Sequence, residues 1–167
     1  MSPVRCSTGA VEMPYYYACS YPLTSGSVVE KGNWGRMLRQ ELIGPGNAAR
    51  LLREVVFEKV RLQCYPNRPS RFDCNFVCPT VESANQFVKS ANRIFDLIYE
   101  VEFTDPNASQ FETDWSLIKI PENLTLVQAE SLAHQYWSPK NVNPMNKEIL
   151  VASGIRILKR ISTSRIT

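Results

Sequence analysis

Glu148-Ile149-Leu150-Val151-Ala152-Ser153-Gly154-Ile155-Arg156-Ile157-Leu158-Lys159-Arg160-Ile161 is the stretch on which the fold turns. Ile149 to Val151 is a short apolar run. Ile155 to Ile161 is a second, longer one. Two apolar runs separated by Ser153-Gly154 read as two strands joined by a two-residue hairpin turn. Just upstream, Pro139 to Pro144 reads as a loop. Before it, Thr125 to Trp137 carries Leu126, Ala129, Leu132, Ala133 and Tyr136 on one helical side.

Further outward the pattern alternates between short strands and helices. Leu117 to Ile120 reads as a weak strand. Ile98 to Phe103 is the clearest period-2 segment, with Ile98, Glu100 and Glu102 facing one way and Tyr99, Val101 and Phe103 the other. Thr80 caps a helix with Ser83 in the box position, and Ala84, Phe87, Val88 and Ala91 form its apolar face. Phe72 to Cys78, between two prolines, is strand-like. Asn47 caps a helix that ends before Pro66, with Ala48, Leu51, Leu52, Val55, Val56 and Val60 on one face and Arg50, Arg53, Glu54 and Arg61 on the other. Leu23 to Arg36 reads as turns around a short Val28-Val29 strand. Tyr15 to Cys19 is a strand that stops before Pro22. Short strands, separate helices and a terminal hairpin predict an α+β fold, not a doubly wound parallel sheet.

Composition bounds the chemistry. At 167 residues and 44% hydrophobic content, the chain suits one globular domain, 1–167, with 1–13 expected to be flexible. The net charge of +3 is too small to imply nucleic-acid binding by itself. One histidine, His134, argues against a His-rich metal site and against a triad. Five cysteines without a CxxC pair argue against structural zinc, so no metal is expected. Free thiols, no apolar leader and no long apolar run point to a cytoplasmic, non-membrane protein. Neither GxGxxG nor a P-loop occurs.

Carboxylates are then the remaining catalytic candidates. Glu100 and Glu102 read as the solvent face of an edge strand. Glu148 stands at a strand start beside a proline-bearing loop, where a carboxylate can project into a cleft. By spacing alone, a surface glutamate is the simpler reading. Cys74 and Cys78, four apart, read as buried apolar residues.

Four motifs in order resemble the ADP-ribosyltransferase superfamily, in particular the small bacterial rifamycin-modifying type. They are Tyr16-Tyr17-Ala18-Cys19 with Gly26 and Gly32-Asn33; Phe76-Val77-Cys78-Pro79-Thr80; Ile98-Tyr99-Glu100-Val101-Glu102; and Asn146-Lys147-Glu148-Ile149-Leu150-Val151. The resemblance implies a split β-sheet core of short strands with flanking helices. It also implies NAD as co-substrate and Glu148 as the catalytic carboxylate, with Tyr17 beside it where the family has His or Arg. Tyr17, Ala18, Cys19, Asn33, Arg36, Arg71 and Phe76 would hold NAD. Phe76 would stack on nicotinamide, and Arg36 or Arg71 would meet the pyrophosphate. The acceptor is left open among protein, small molecule and RNA or DNA. Asn146 disfavours arginine, while the basic tail (Arg156, Lys159, Arg160, Arg165) and the helix arginines (Arg50, Arg53, Arg61) raise nucleic acid. The rival readings are a non-catalytic NAD- or nucleic-acid-binding module, and a toxin or phage-defence component with an inhibitory partner that meets the acidic Asp96–Asp114 stretch.

Overall fold

The terminal hairpin does not form. The computed structural model describes residues 14–119 and 123–161. Its strands are β1 (Tyr15–Cys19), β2 (Val28–Val29), β3 (Asn75–Val77), β4 (Leu97–Phe103), β5 (Gln110–Asp114), β6 (Lys147–Val151) and β7 (Ile155–Ile161). Its helices are α1 (Asn33–Gln40), α2 (Ala48–Cys64), α3 (Val81–Ser90) and α4 (Leu126–Trp137). β6 lies between β3 and β5 in one sheet, while β7 lies between β4 and β2 in another of order β1-β4-β7-β2. Both sheets are antiparallel. The class is therefore α+β, as the sequence predicts. Residues 1–13, expected to be flexible, lie outside the described residues.

The turn between β6 and β7 is a corner, and its backbone groups bond to other segments. Ala152 donates to the Ser109 carbonyl at 2.9 Å, and the Gly154 carbonyl accepts from Thr104 N–H at 2.9 Å. The Asn75 amide donates to the Ser153 carbonyl at 2.9 Å and to the Val29 carbonyl at 3.2 Å, tying three segments together. A Cβ on Gly154 would fall 2.9 Å from the Thr104 hydroxyl, so any larger residue would have to displace that side chain. Burial supplies the reason for the corner. In a flat hairpin, the apolar residues of the two strands would share one sheet face. Turned onto opposing sheets, Ile149 and Val151 cover Ile155 and Ile157 in one core with Val77, Tyr99 and Val101. Each such burial contributes about 1.5–3 kcal/mol.

Two further cores flank this one. α2 and α4 cover the outer side of the β3-β6-β5 sheet through Val56, Phe57, Val60, Ala129, Ala133, Tyr136, Trp137 and Leu150. α3 covers the outer side of the larger sheet through Ala84, Phe87 and Val88 against Ile98, Tyr16 and Ala18. The sheets meet at one backbone pair, with Tyr16 and Cys78 exchanging N–H···O bonds of 2.8 and 2.9 Å.

Local signals are met where they are strong. Thr80 and Ser83 form the expected capping box, and Thr125 forms a second with Gln128. β4 alternates as read, with Tyr99 and Val101 toward the inter-sheet core. It is a central strand, however, paired with both β1 and β7. Leu117–Ile118 belongs to a 3-10 turn capped by the Asp114 carboxylate, not to a strand, and Ile120 lies outside the described residues. β5 falls within the acidic run Asp96–Asp114, and its own sequence carries no strand signal. The start of α1 falls in the stretch whose three glycines, Gly26, Gly32 and Gly35, predict turns. Gly35 lies directly against the Phe72 backbone, where a Cβ has no room. α2 is rotated from its expected face: Leu52 and Val55 are exposed, while Glu54, Phe57 and Arg61 are buried.

Candidate functional site

Glu148 is not on the surface but buried. A 3-10 turn at Pro144–Asn146, capped by the Asn143 side chain, delivers the chain into β6. Side chains alternate along a strand, so Ile149 and Val151 point to the other sheet while Glu148 and Leu150 point to α2 and α4. Glu148 pairs with Thr113 of β5 and is only 5% exposed. A lone carboxylate there would cost several kcal/mol of lost hydration, so it must be compensated.

The compensation comes from three elements. The Tyr136 hydroxyl, on α4, donates to Glu148 Oε1 at 2.8 Å. Arg71, in the segment before β3, donates to Tyr136 Oη at 2.5 Å and lies 3.4 Å from Glu148 Oε1. The same guanidinium forks onto Glu54 of α2, at 2.8 Å to Oε2 and 3.2 Å to Oε1. Arg53 adds two bonds to Glu54 Oε1, at 2.8 and 3.2 Å, and one to the Ile118 carbonyl. Two arginines thus balance two glutamates. The Arg71 plane also rests over Phe76, 4.8 Å from the ring centre.

This arrangement divides the two carboxylates. Burial pushes the Glu148 carboxyl above its ordinary range, against the pull of Arg71 and the Tyr136 hydrogen bond. Burial acts on Glu54 too, but Arg71 and Arg53 outweigh it and hold that carboxyl below its ordinary value. Burial likewise raises the Tyr136 phenol well above its usual value. Arg71 stays charged, because Glu54, Tyr136 and Glu148 overcome its desolvation. Both bonds to Glu148 fall on Oε1, and Oε2 accepts none from the described residues.

Residues 25–163 match the family described as a protein of unknown function, DUF2441. The chain belongs to the DUF2441 family. The matched span contains the whole Glu54–Arg71–Tyr136–Glu148 cluster, whereas Tyr17, Ala18 and Cys19 precede it. No curated protein matches the chain.

In this DUF2441 chain the sequence candidates fall into three places. Glu148, Arg71 and Phe76 share the buried cluster. Asn33 and Arg36 lie exposed on α1, bonded to each other, with Arg36 also donating to the Lys31 carbonyl at 2.9 Å. Gly32 N–H bonds the Cys74 carbonyl at 3.1 Å, which sets the start of α1 beside the Arg71–Asn75 segment. Tyr17, Ala18 and Cys19 lie on β1 in the other sheet. Tyr17 packs into the inter-sheet core, and burial pushes its phenol up to about 12. The Ala18 carbonyl accepts from Arg93 at 3.5 Å, and the buried Cys19 thiol donates to the Tyr21 carbonyl.

Sequence reasoning missed Tyr136 as a partner of Glu148, and Glu54 with Arg53 as the charges that balance Arg71 beside it. Glu54 was assigned to the wet face of its helix. Its spacing to Phe57 and Arg61, at three and seven residues, places it instead on the buried stripe. Cys74 and Cys78 are buried as read, and burial pushes the Cys78 thiol up to about 12. His134 is exposed and hydrogen-bonded to Tyr65. The acidic and basic stretches meet at two ion pairs across β4 and β7, Glu102–Arg156 and Glu100–Lys159, both at 3.0 Å, while Asp96 and Glu112 pair with Arg93 and Lys147 and Arg165 lies outside the described residues. Among the described residues no three His, Cys, Asp or Glu side chains are arranged to hold a metal ion. No described helix is long and apolar enough to cross a membrane. Two surface hollows stand out, one of about 430 Å³ beside α2 and one beside Tyr15 and Phe103, and Glu148 lines neither.

Proposed function

We propose that this protein is an NAD-dependent ADP-ribosyltransferase with Glu148 as its catalytic carboxylate. The observation that carries the reading is the clamped Glu148: a glutamate opening the middle strand of one of two antiparallel sheets, with one carboxylate oxygen held and the other left without a partner among the described residues. The motif order in the sequence and the sheet pair joined at Tyr16 and Cys78 support the split-sheet core that this activity implies.

The residues fit NAD in part. Glu148 has an oxygen to offer, Tyr17 is half-buried on β1, and Arg36 is exposed with no carboxylate partner among the described residues. Arg71 and Phe76 do not fit their expected parts: the guanidinium is committed to Glu54, Tyr136 and Glu148, and it covers the Phe76 ring. Pyrophosphate recognition therefore belongs to Arg36 in this reading. NAD, when bound, supplies a nicotinamide–ribose bond whose cleavage builds positive charge at the ribose. A carboxylate fixed near that charge stabilises it, as in glycoside hydrolysis. The test is nicotinamide release from labelled NAD by wild type and Glu148→Gln. Release by wild type that is lost in the variant supports the proposal. Equal rates refute it.

One observation favours a second reading. Neither hollow reaches Glu148, and the cluster is balanced within itself, so the same cluster also suits a non-catalytic module. Calorimetry showing NAD binding without nicotinamide release would select that reading.

A further inference from the structure

We infer that Tyr136 is the positioning residue of Glu148, acting through one hydroxyl shared between Arg71 and the carboxylate; this rests on the ADP-ribosyltransferase reading. A phenol has one proton to give and lone pairs to receive. Here the lone pairs face Arg71 at 2.5 Å, which turns the proton toward Glu148 Oε1 at 2.8 Å. Arg71 reaches the same oxygen at 3.4 Å. The carboxylate is therefore fixed in rotation by Oε1 alone, and Oε2 remains for a reacting sugar.

The clamp is rigid because α4 is anchored on both sides of Tyr136. Trp137 Nε1 donates to the Phe57 carbonyl at 2.8 Å, and the Thr113 hydroxyl donates to the Tyr136 carbonyl at 2.7 Å. The Tyr136 ring is packed between Phe57, at 5.2 Å, and Trp137, at 4.9 Å. The charged and titratable groups around Glu148 are Arg71, Glu54 and Arg53 of α2, Tyr136 of α4, and Cys74 and Cys78 beside β3. Of these, Arg71 and Tyr136 are the two that hydrogen-bond the carboxylate.

The test compares Tyr136→Phe with wild type by three readouts: kcat and KM for NAD, the acid limb of the pH profile, and the Glu148 carboxyl titration followed by carbon NMR. Thr113→Val, which loosens α4 by removing the bond to the Tyr136 carbonyl but leaves the Tyr136 hydroxyl in place, is the control for a merely structural effect. The expected result in Tyr136→Phe is kcat lower by about ten- to hundred-fold, the effect of one hydrogen bond to a charged group. KM changes little. The acid limb and the Glu148 titration both move to higher pH, because a bond favouring the carboxylate is gone. A Glu148 titration unmoved in Tyr136→Phe, or moved equally in Thr113→Val, overturns the inference. If wild type releases no nicotinamide, the activity falls on that ground, while the titration still decides the clamp. Should Tyr136→Phe not fold, Arg71→Lys is read the same way: a titration at higher pH supports the clamp, and an unmoved one overturns it.

Discussion

Arg71→Met is the most severe test of the buried cluster. The substitution keeps most of the side-chain volume and removes the guanidinium. Glu54 then loses its forked partner but keeps the two bonds from Arg53. Glu148 keeps only the Tyr136 hydroxyl. Breaking a buried ion pair from one side costs about 3–5 kcal/mol, because a charge is left behind without compensation. With a urea slope of ~2 kcal/mol/M, the midpoint should fall by ~1.5–2.5 M. The loss should also depend on pH. Glu148 already titrates above its ordinary value, and without Arg71 its carboxyl climbs further. A carboxyl raised in the folded state favours folding when protonated, so stability falls as pH rises through the window above its ordinary value. The deficit should therefore be larger at about pH 8 than at about pH 5.5, where Glu148 sheds its charge more readily. Urea unfolding followed by tryptophan fluorescence measures both. A loss under ~1 kcal/mol, or one equal at the two pH values, would refute the account of an uncompensated buried carboxylate.

Glu148→Gln should flatten the fall in wild-type stability with rising pH above the ordinary glutamate range, whereas the loss at lower pH, set by Glu54, should persist; parallel curves for the two proteins would contradict the assignment of the raised carboxyl. Gly35→Ala should destabilise by about 1–3 kcal/mol, since the new methyl meets the Phe72 backbone and neither chain segment can yield cheaply, as thermal melts would show. Thr80→Ala should cost about 1 kcal/mol by removing the hydroxyl that accepts from the Ser83 N–H, measurable in the same melts. Glu102→Ala should change stability by less than about 1 kcal/mol, because its pair with Arg156 is nearly half exposed on both sides.

The contrast between these sites shows what a linear pattern carries. Thr80 and Ser83 are three residues apart, and their capping box closes within one turn, so sequence alone reveals it. The alternation in β4 is similarly local, because side-chain direction there depends only on the pleat. α1 was hidden by the cluster of Gly26, Gly32 and Gly35, which reads as turns, and the close approach of Gly35 to the Phe72 backbone gives the reason for one of these glycines. α2 was legible in extent but not in rotation. Its sequence shows one apolar face, and the packing of α4 and the Glu54–Arg71 pair shift the buried stripe off Leu52 and Val55 onto Glu54, Phe57 and Arg61 while keeping Val56 and Val60.

For the site, Glu148 stood out in the sequence as a glutamate at a strand start, while Arg71 and Phe76 came only from the family resemblance, and in parts that the buried cluster does not give them. The sequence by itself also determined the α+β class, six of the seven strands and three of the four helices in outline. Only the tertiary structure decided that Ser153-Gly154 is a corner between sheets and that Glu148 is buried with Glu54 and Tyr136. The physical reason is the same in both cases. Apolar strands must cover one another, and buried charges must be matched, and both requirements draw on residues far from Glu148 in sequence, such as Val77, Glu54 and Arg71, brought together only when the sheets close.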